Sequence, residues 1–107
     1  MAFVYLLCDS GFDNRFKIGV TKQSILKRIK QLQTGNGSEI FLSSYYETEY
    51  PFYIEKMLHK EFCSDKKVGE WFDLDCDKAL KFKKICKFYE ENLNALKDNP
   101  FFKKKLK

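Results

Sequence analysis

The sequence has little of what loosens a chain: two prolines and five glycines among 107 residues, too few for a low-complexity or collagen-like segment. No apolar run approaches the ~18 residues that a membrane span needs. The opening Met-Ala-Phe-Val-Tyr-Leu-Leu-Cys also lacks the basic start and cleavage site of a secretory signal. These absences predict a protein with no membrane partner that stays inside the cell, in the cytoplasm or, for a eukaryotic host, in the nucleus or a viral factory. Cys8, Cys63, Cys76 and Cys86 form no CxxC pair. The spacing of a structural zinc site is therefore missing, and the thiols read as reduced small hydrophobes. Carboxylates are absent from Asn14 through Ser38, where Arg15, Lys17, Lys22, Lys27, Arg28 and Lys30 are all basic.

What is present is a core. With 44% hydrophobic and 17% aromatic residues, a chain of this length can bury roughly 60 to 65% of its unfolded surface. Two independent domains are excluded by length. Residues 76 to 107 hold ten lysines against Asp77, Glu90, Glu91 and Asp98, a net +6, which leaves the first 75 residues at −1 of the chain's +5. Carboxylates gather at Glu39, Glu47, Glu49 and Glu55. A basic segment facing such a cluster can hold phosphate on one side and a metal on the other; the same charges also make an ordinary solvated surface.

The apolar pattern predicts strands over Phe3 to Cys8 and Arg15 to Thr21, joined through the polar stretch 9–14 as a hairpin. Ser24 is positioned to cap a helix carrying Ile25, Ile29 and Leu32, with Arg28 at the border of the stripe and Gly35-Asn36-Gly37 as the stop. A third strand is expected over Ile40 to Thr48, then a helix from Pro51 with Ile54, Met57, Leu58 and Phe62 buried. In that helix Glu55 and His59 stand four residues apart and share a face. A short extended piece, Glu70 to Leu74, precedes a long helix capped by Asp75 or Asp77 and ending at Asn99-Pro100, with Lys103 to Lys107 as a basic tail. The fold class is α+β, a small, mostly antiparallel three-stranded sheet under helices, with residues 1–74 as the main unit and 75–107 packed on the same domain.

Several short pieces occur in a telling order: Phe3-Val4-Tyr5-Leu6, Lys17-Ile18-Gly19, Arg28, Leu32-Gln33-Thr34-Gly35-Asn36, Glu55-Lys56-Met57-Leu58-His59 and Gly69-Glu70-Trp71-Phe72. Together they resemble the GIY-YIG endonuclease superfamily, in particular its compact phage and viral branch reading VYL and KIG. The resemblance covers about residues 3 to 74. Phe3 stands where that family has glycine, and Lys17 where it more often has a second tyrosine.

The resemblance implies an endonuclease that hydrolyses phosphodiesters in DNA with one Mg²⁺ or Mn²⁺, RNA being a second substrate to consider. Tyr5 would act toward the attacking water, Arg28 toward the phosphate, and Glu55 as the metal ligand, with Lys17 and His59 as further catalytic candidates. Lys22, Lys27 and Lys30 are the candidate nucleic-acid contacts. An ordinary tyrosine titrates near 10, so a phenolate base at pH 7 starts from a deficit of roughly 4 kcal/mol, which a neighbouring cation such as Lys17 reduces if both lie on one face of the hairpin. Each residue also has a purely structural reading. Tyr5 can be a core aromatic, Glu55 can pair with Lys56 or Lys60, and His59 can hold Glu55 or the Gly69-Glu70-Trp71 segment by a hydrogen bond. Two rival functions follow: a nucleic-acid-binding module of the same fold without catalysis, and a small protein-interaction domain. Targeting, in a chain with no separate sequence-reading module, would come from a protein partner or from self-association.

Overall fold

The computed structural model describes residues 2–65 and 71–96. Strand β1 (Ala2–Asp9) is apolar on both faces because it runs inside a sheet, with β2 (Arg15–Thr21) on one side and β3 (Ile40–Thr48) on the other, both antiparallel to it. Asn14, at φ 61°, takes the left-handed conformation that closes the β1–β2 hairpin, one that asparagine tolerates better than most residues. Its carbonyl accepts the Leu74 amide at 2.8 Å.

That bond belongs to a departure from the sequence reading. Trp71–Asp73 forms a fourth strand, β4, paired antiparallel to β2 through Arg15↔Asp73, Phe16↔Phe72 and Lys17↔Trp71, so the sheet order is β3-β1-β2-β4 where three strands were expected. A three-residue strand is too short for alternation to reveal; its pairing is decided by β2.

Alternation divides the side chains of β1 and β2 between two layers. Val4, Leu6, Ile18 and Phe72 pack with Ile54, Leu58 and Phe62 from helix α2 (Pro51–Glu61) and its end. Tyr5, Leu7 and Ile40 pack against Ile29 and Leu32 of helix α1 (Ile25–Gln33) and against Trp71. Each fully buried aliphatic or aromatic side chain stabilises the fold by about 1.5 to 3 kcal/mol. A one-residue slip would send the whole set to the wrong layer, which fixes the register that sets Tyr5 opposite Gly19.

The long C-terminal helix expected from Asp75 is instead two helices, α3 (Cys76–Leu80) and α4 (Phe82–Leu96), parted at Lys81. Asp75 caps the first, its Oδ1 accepting the Lys78 amide at 2.9 Å, whereas Ser24 makes no side-chain cap on α1. Helix α4 joins the α2 layer through Phe82 and Cys86. The Tyr46 and Thr48 hydroxyls of β3 both donate to the Glu90 carboxylate, the Thr48 bond at 2.6 Å. Burial and that carboxylate push the Tyr46 phenol far above its usual range. Gly69-Glu70, the Asn99-Pro100 stop and the basic tail lie outside the described residues.

Candidate active site

The register brings Tyr5 of β1 opposite Gly19 of β2, and the ring lies across the glycine. A Cβ at position 19 would stand 2.6 Å from the ring's Cζ and 2.8 Å from its Cε1, with the hydroxyl nearer still. The phenol end therefore occupies the space that any other residue at 19 would fill. Lys17, two residues earlier on the same strand, shares this face with Tyr5, the condition under which a cation can ease phenol ionisation. Its Nζ stands 5.2 Å from the centroid of the Trp71 ring.

Strand β4 covers β2 only as far as Lys17. Beyond it, α2 runs alongside. His59 Nε2 lies 3.3 Å from the Ile18 carbonyl, with its ring edge-on to Phe72 at 4.9 Å, while at the start of the helix Lys22 Nζ lies 5.7 Å from the Phe52 ring centroid. Seven helical residues rise about 10 Å and four strand residues about 13 Å, so these two contacts align α2 antiparallel to the Ile18–Lys22 stretch. Phe52, Glu55 and His59, at i, i+3 and i+7, lie on one face of the helix. Half-buried Glu55 is thus carried between the two anchors, level with the residues just after Gly19. Because a carbonyl is its partner, the Nε2 of His59 is the donor, and Nδ1 is the nitrogen left to accept.

From the other side of the sheet, half-buried Arg28 on α1 lines a depression of about 240 Å³ together with Val20, Thr21, Lys22, Gln23 and Gln31, and its Nη1 donates to Gln31 Oε1 at 3.2 Å. Lys22 also borders a larger hollow of about 670 Å³ floored by Ala2, Pro51 and Phe52. Glu55 thus shares the α2 face that His59 anchors, and Tyr5, Lys17, Arg28, His59 and Lys22 all lie on or against β2. Lys27 and Lys30 do not: both are exposed on the outer side of α1.

Sequence reasoning passed over Gln31 and Phe52. Phe52 carried a signal, an aromatic one position after Pro51 and outside the Ile54–Leu58 stripe. The Leu32–Asn36 segment has a different task. Gln33 Nε2 donates to the Ser38 carbonyl and its Oε1 accepts the Ile40 amide, both at 2.8 Å, while Asn36 Nδ2 donates to Asp9 Oδ2 at 3.2 Å. It staples the end of α1 to β3 and to the end of β1.

A four-stranded antiparallel sheet with helices packed on both of its faces defines a small α+β domain. The family model of the T5orf172 domain matches residues 2–87, and the chain belongs to that phage-associated, nuclease-like and DNA-binding family. No curated protein and no solved structure matches the chain. Among the described residues no helix is long and apolar enough to cross a membrane.

Proposed function

We propose that the chain is a metal-dependent endonuclease of the GIY-YIG kind that hydrolyses phosphodiester bonds in DNA. Three placements support this reading: the Tyr5 phenol lies over Gly19, the depression beside Arg28 opens at Val20, Thr21 and Lys22, and Glu55 stands on the face of α2 that His59 anchors at Ile18.

Arg28 would take the phosphate oxygens with its planar fork, which a lysine cannot reproduce. Tyr5 would direct the attacking water with its hydroxyl, and Lys17 lowers the cost of charge on that oxygen. His59 is a positioning residue: by holding Ile18 it fixes α2, and with it Glu55, against β2. No three His, Cys, Asp or Glu residues gather among the described residues, and in this reading Glu55 is the protein ligand of the ion. This suits Mg²⁺ or Mn²⁺, which keep several waters and bind through one or two carboxylates. Bound there, the ion would neutralise charge on the phosphate and acidify a bound water.

One observation favours a second reading, a family member that holds nucleic acid without cutting it: Tyr5 is only 1% exposed. The two readings separate on supercoiled plasmid incubated with Mg²⁺ or Mn²⁺. Nicked or linear product that disappears with Glu55→Ala and with a chelator supports the nuclease. Intact plasmid with salt-sensitive binding supports the module.

A further inference from the structure

Along β2, cations and aromatic rings alternate. At its start the Arg15 guanidinium sits 4.0 Å from the Phe12 centroid and 5.8 Å from that of Trp71. Lys17 lies over the same indole at 5.2 Å, and past the strand's end Lys22 meets Phe52 at 5.7 Å; between them the Tyr5 ring over Gly19 is buried and takes no part in the row. The two outer rings are open to solvent, Phe12 at 55% and Phe52 at 62% exposure. Arg15 to Lys22 spans about 23 Å of extended chain. From Asn14 to Ser38 the sequence carries no carboxylate. Asp73 stands opposite Arg15 in the ladder, and at the other end of the row Lys22 is exposed.

A double helix keeps the faces of its bases stacked inside and offers a protein only phosphates and groove edges, so exposed aromatic faces find nothing on it to stack against. An unpaired strand offers both, and a basic groove with solvent-facing aromatics is the arrangement that binds it. The length of the row admits roughly four nucleotides. The 670 Å³ hollow beside Phe52 lies within the range of small-ligand pockets and shares Lys22 with the Arg28 depression. A base on Phe52 would thus neighbour a phosphate at Arg28.

We propose that the surface along β2 is a track for single-stranded nucleic acid, in which Phe12 and Phe52 stack unpaired bases on either side of the phosphate held at Arg28. This deepens the nuclease reading and rests on its placement of that phosphate. Binding is measured by fluorescence anisotropy in EDTA, so that no cleavage is required, with a labelled 12-nucleotide single strand and with the duplex of the same sequence at one salt concentration. The single strand should bind at least tenfold more tightly. Phe12→Ala and Phe52→Ala should each cost about tenfold on the single strand and narrow its advantage over duplex, and Phe52→Trp should restore it. Both rings lie outside the core, so folding is preserved, and the tryptophan variant separates stacking from a merely structural role. Equal or tighter duplex binding, single-strand affinity indifferent to Phe12 and Phe52, or no single-strand binding at all overturns the track. A protein that cuts duplex plasmid with none of these preferences keeps the nuclease reading and loses the track. One that shows them all and cuts nothing keeps the track and loses the nuclease.

Discussion

The Tyr5 ring lies over Gly19 so closely that a methyl group there would overlap it, at 2.6 Å from Cζ. The ring is 1% exposed and packs with the α1 layer, so it has nowhere to retreat. Gly19→Ala should therefore cost about 1 to 3 kcal/mol in urea denaturation, the range for overpacking a filled site. Gly37→Ala, where nothing lies within 4 Å, should shift stability by no more than about 1 kcal/mol, toward the folded state. Equal effects at the two positions would show that the ring does not occupy that space.

The assignment of chemistry to Tyr5, Arg28 and Glu55 makes graded demands on plasmid cleavage. Glu55→Ala and Tyr5→Phe should each lower the rate by about 10² to 10⁴, the range for a lost general acid or base. Arg28→Lys should lower it by about 10² to 10³, because the ammonium keeps the charge and loses the fork. Folding checked by circular dichroism should be unchanged in all three. Full activity in Arg28→Lys would move the phosphate contact elsewhere.

Part of this arrangement was written in the chain. Alternation in Phe3–Cys8 and Arg15–Thr21 suffices to put Tyr5 and Lys17 on one face once the hairpin register is known, and the four-residue spacing of Glu55 and His59 puts them on one side of a helix. What was not legible depends on partners. β4 is a strand because β2 offers it an edge. The break at Lys81 is invisible to periodicity, since Ala79, Phe82, Ile85, Cys86, Tyr89 and Leu93 keep helical spacing across it. Leu32–Asn36 looks like a signature of the site, yet its amides are spent on Asp9, Ser38 and Ile40, which no local pattern reveals.

Asp9 makes the stability of this staple dependent on pH. Burial pushes its pKa up, but hydrogen bonds from Ser38, Gly11 and Asn36 and the charge of Arg15 outweigh it, and the carboxyl sits below its ordinary 3.8. A depressed carboxyl stabilises the fold in full above its unfolded pKa and loses that contribution as pH falls through the folded value. Wild-type stability should therefore exceed that of Asp9→Asn at pH 7, and the gap should close as the pH is lowered from about 4. A gap that stays constant down to pH 2 would mean that the Asp9 carboxylate is no better held in the folded chain than in the unfolded one.

The four thiols report whether α4 is held on the sheet by Glu90. Cys63 and Cys76 are exposed and Cys8 is half-buried, while Cys86 is fully buried and its pKa is pushed up to about 12 by that burial. At pH 8 only about one Cys86 in 10⁴ would be thiolate, and the reagent could reach it only when the helix lifts. A disulfide reagent should therefore label Cys63 and Cys76 first and Cys86 last, slower by at least 10². Glu90→Ala leaves the Tyr46 and Thr48 hydroxyls without the carboxylate they share, four residues along the helix from Cys86. Such a loss destabilises the docked helix by about 1 to 3 kcal/mol and should speed Cys86 labelling roughly 5- to 150-fold while leaving Cys63 and Cys76 unchanged. Rapid labelling of Cys86 in the wild type, or no acceleration in the variant, would mean that contacts other than Glu90 decide where α4 sits.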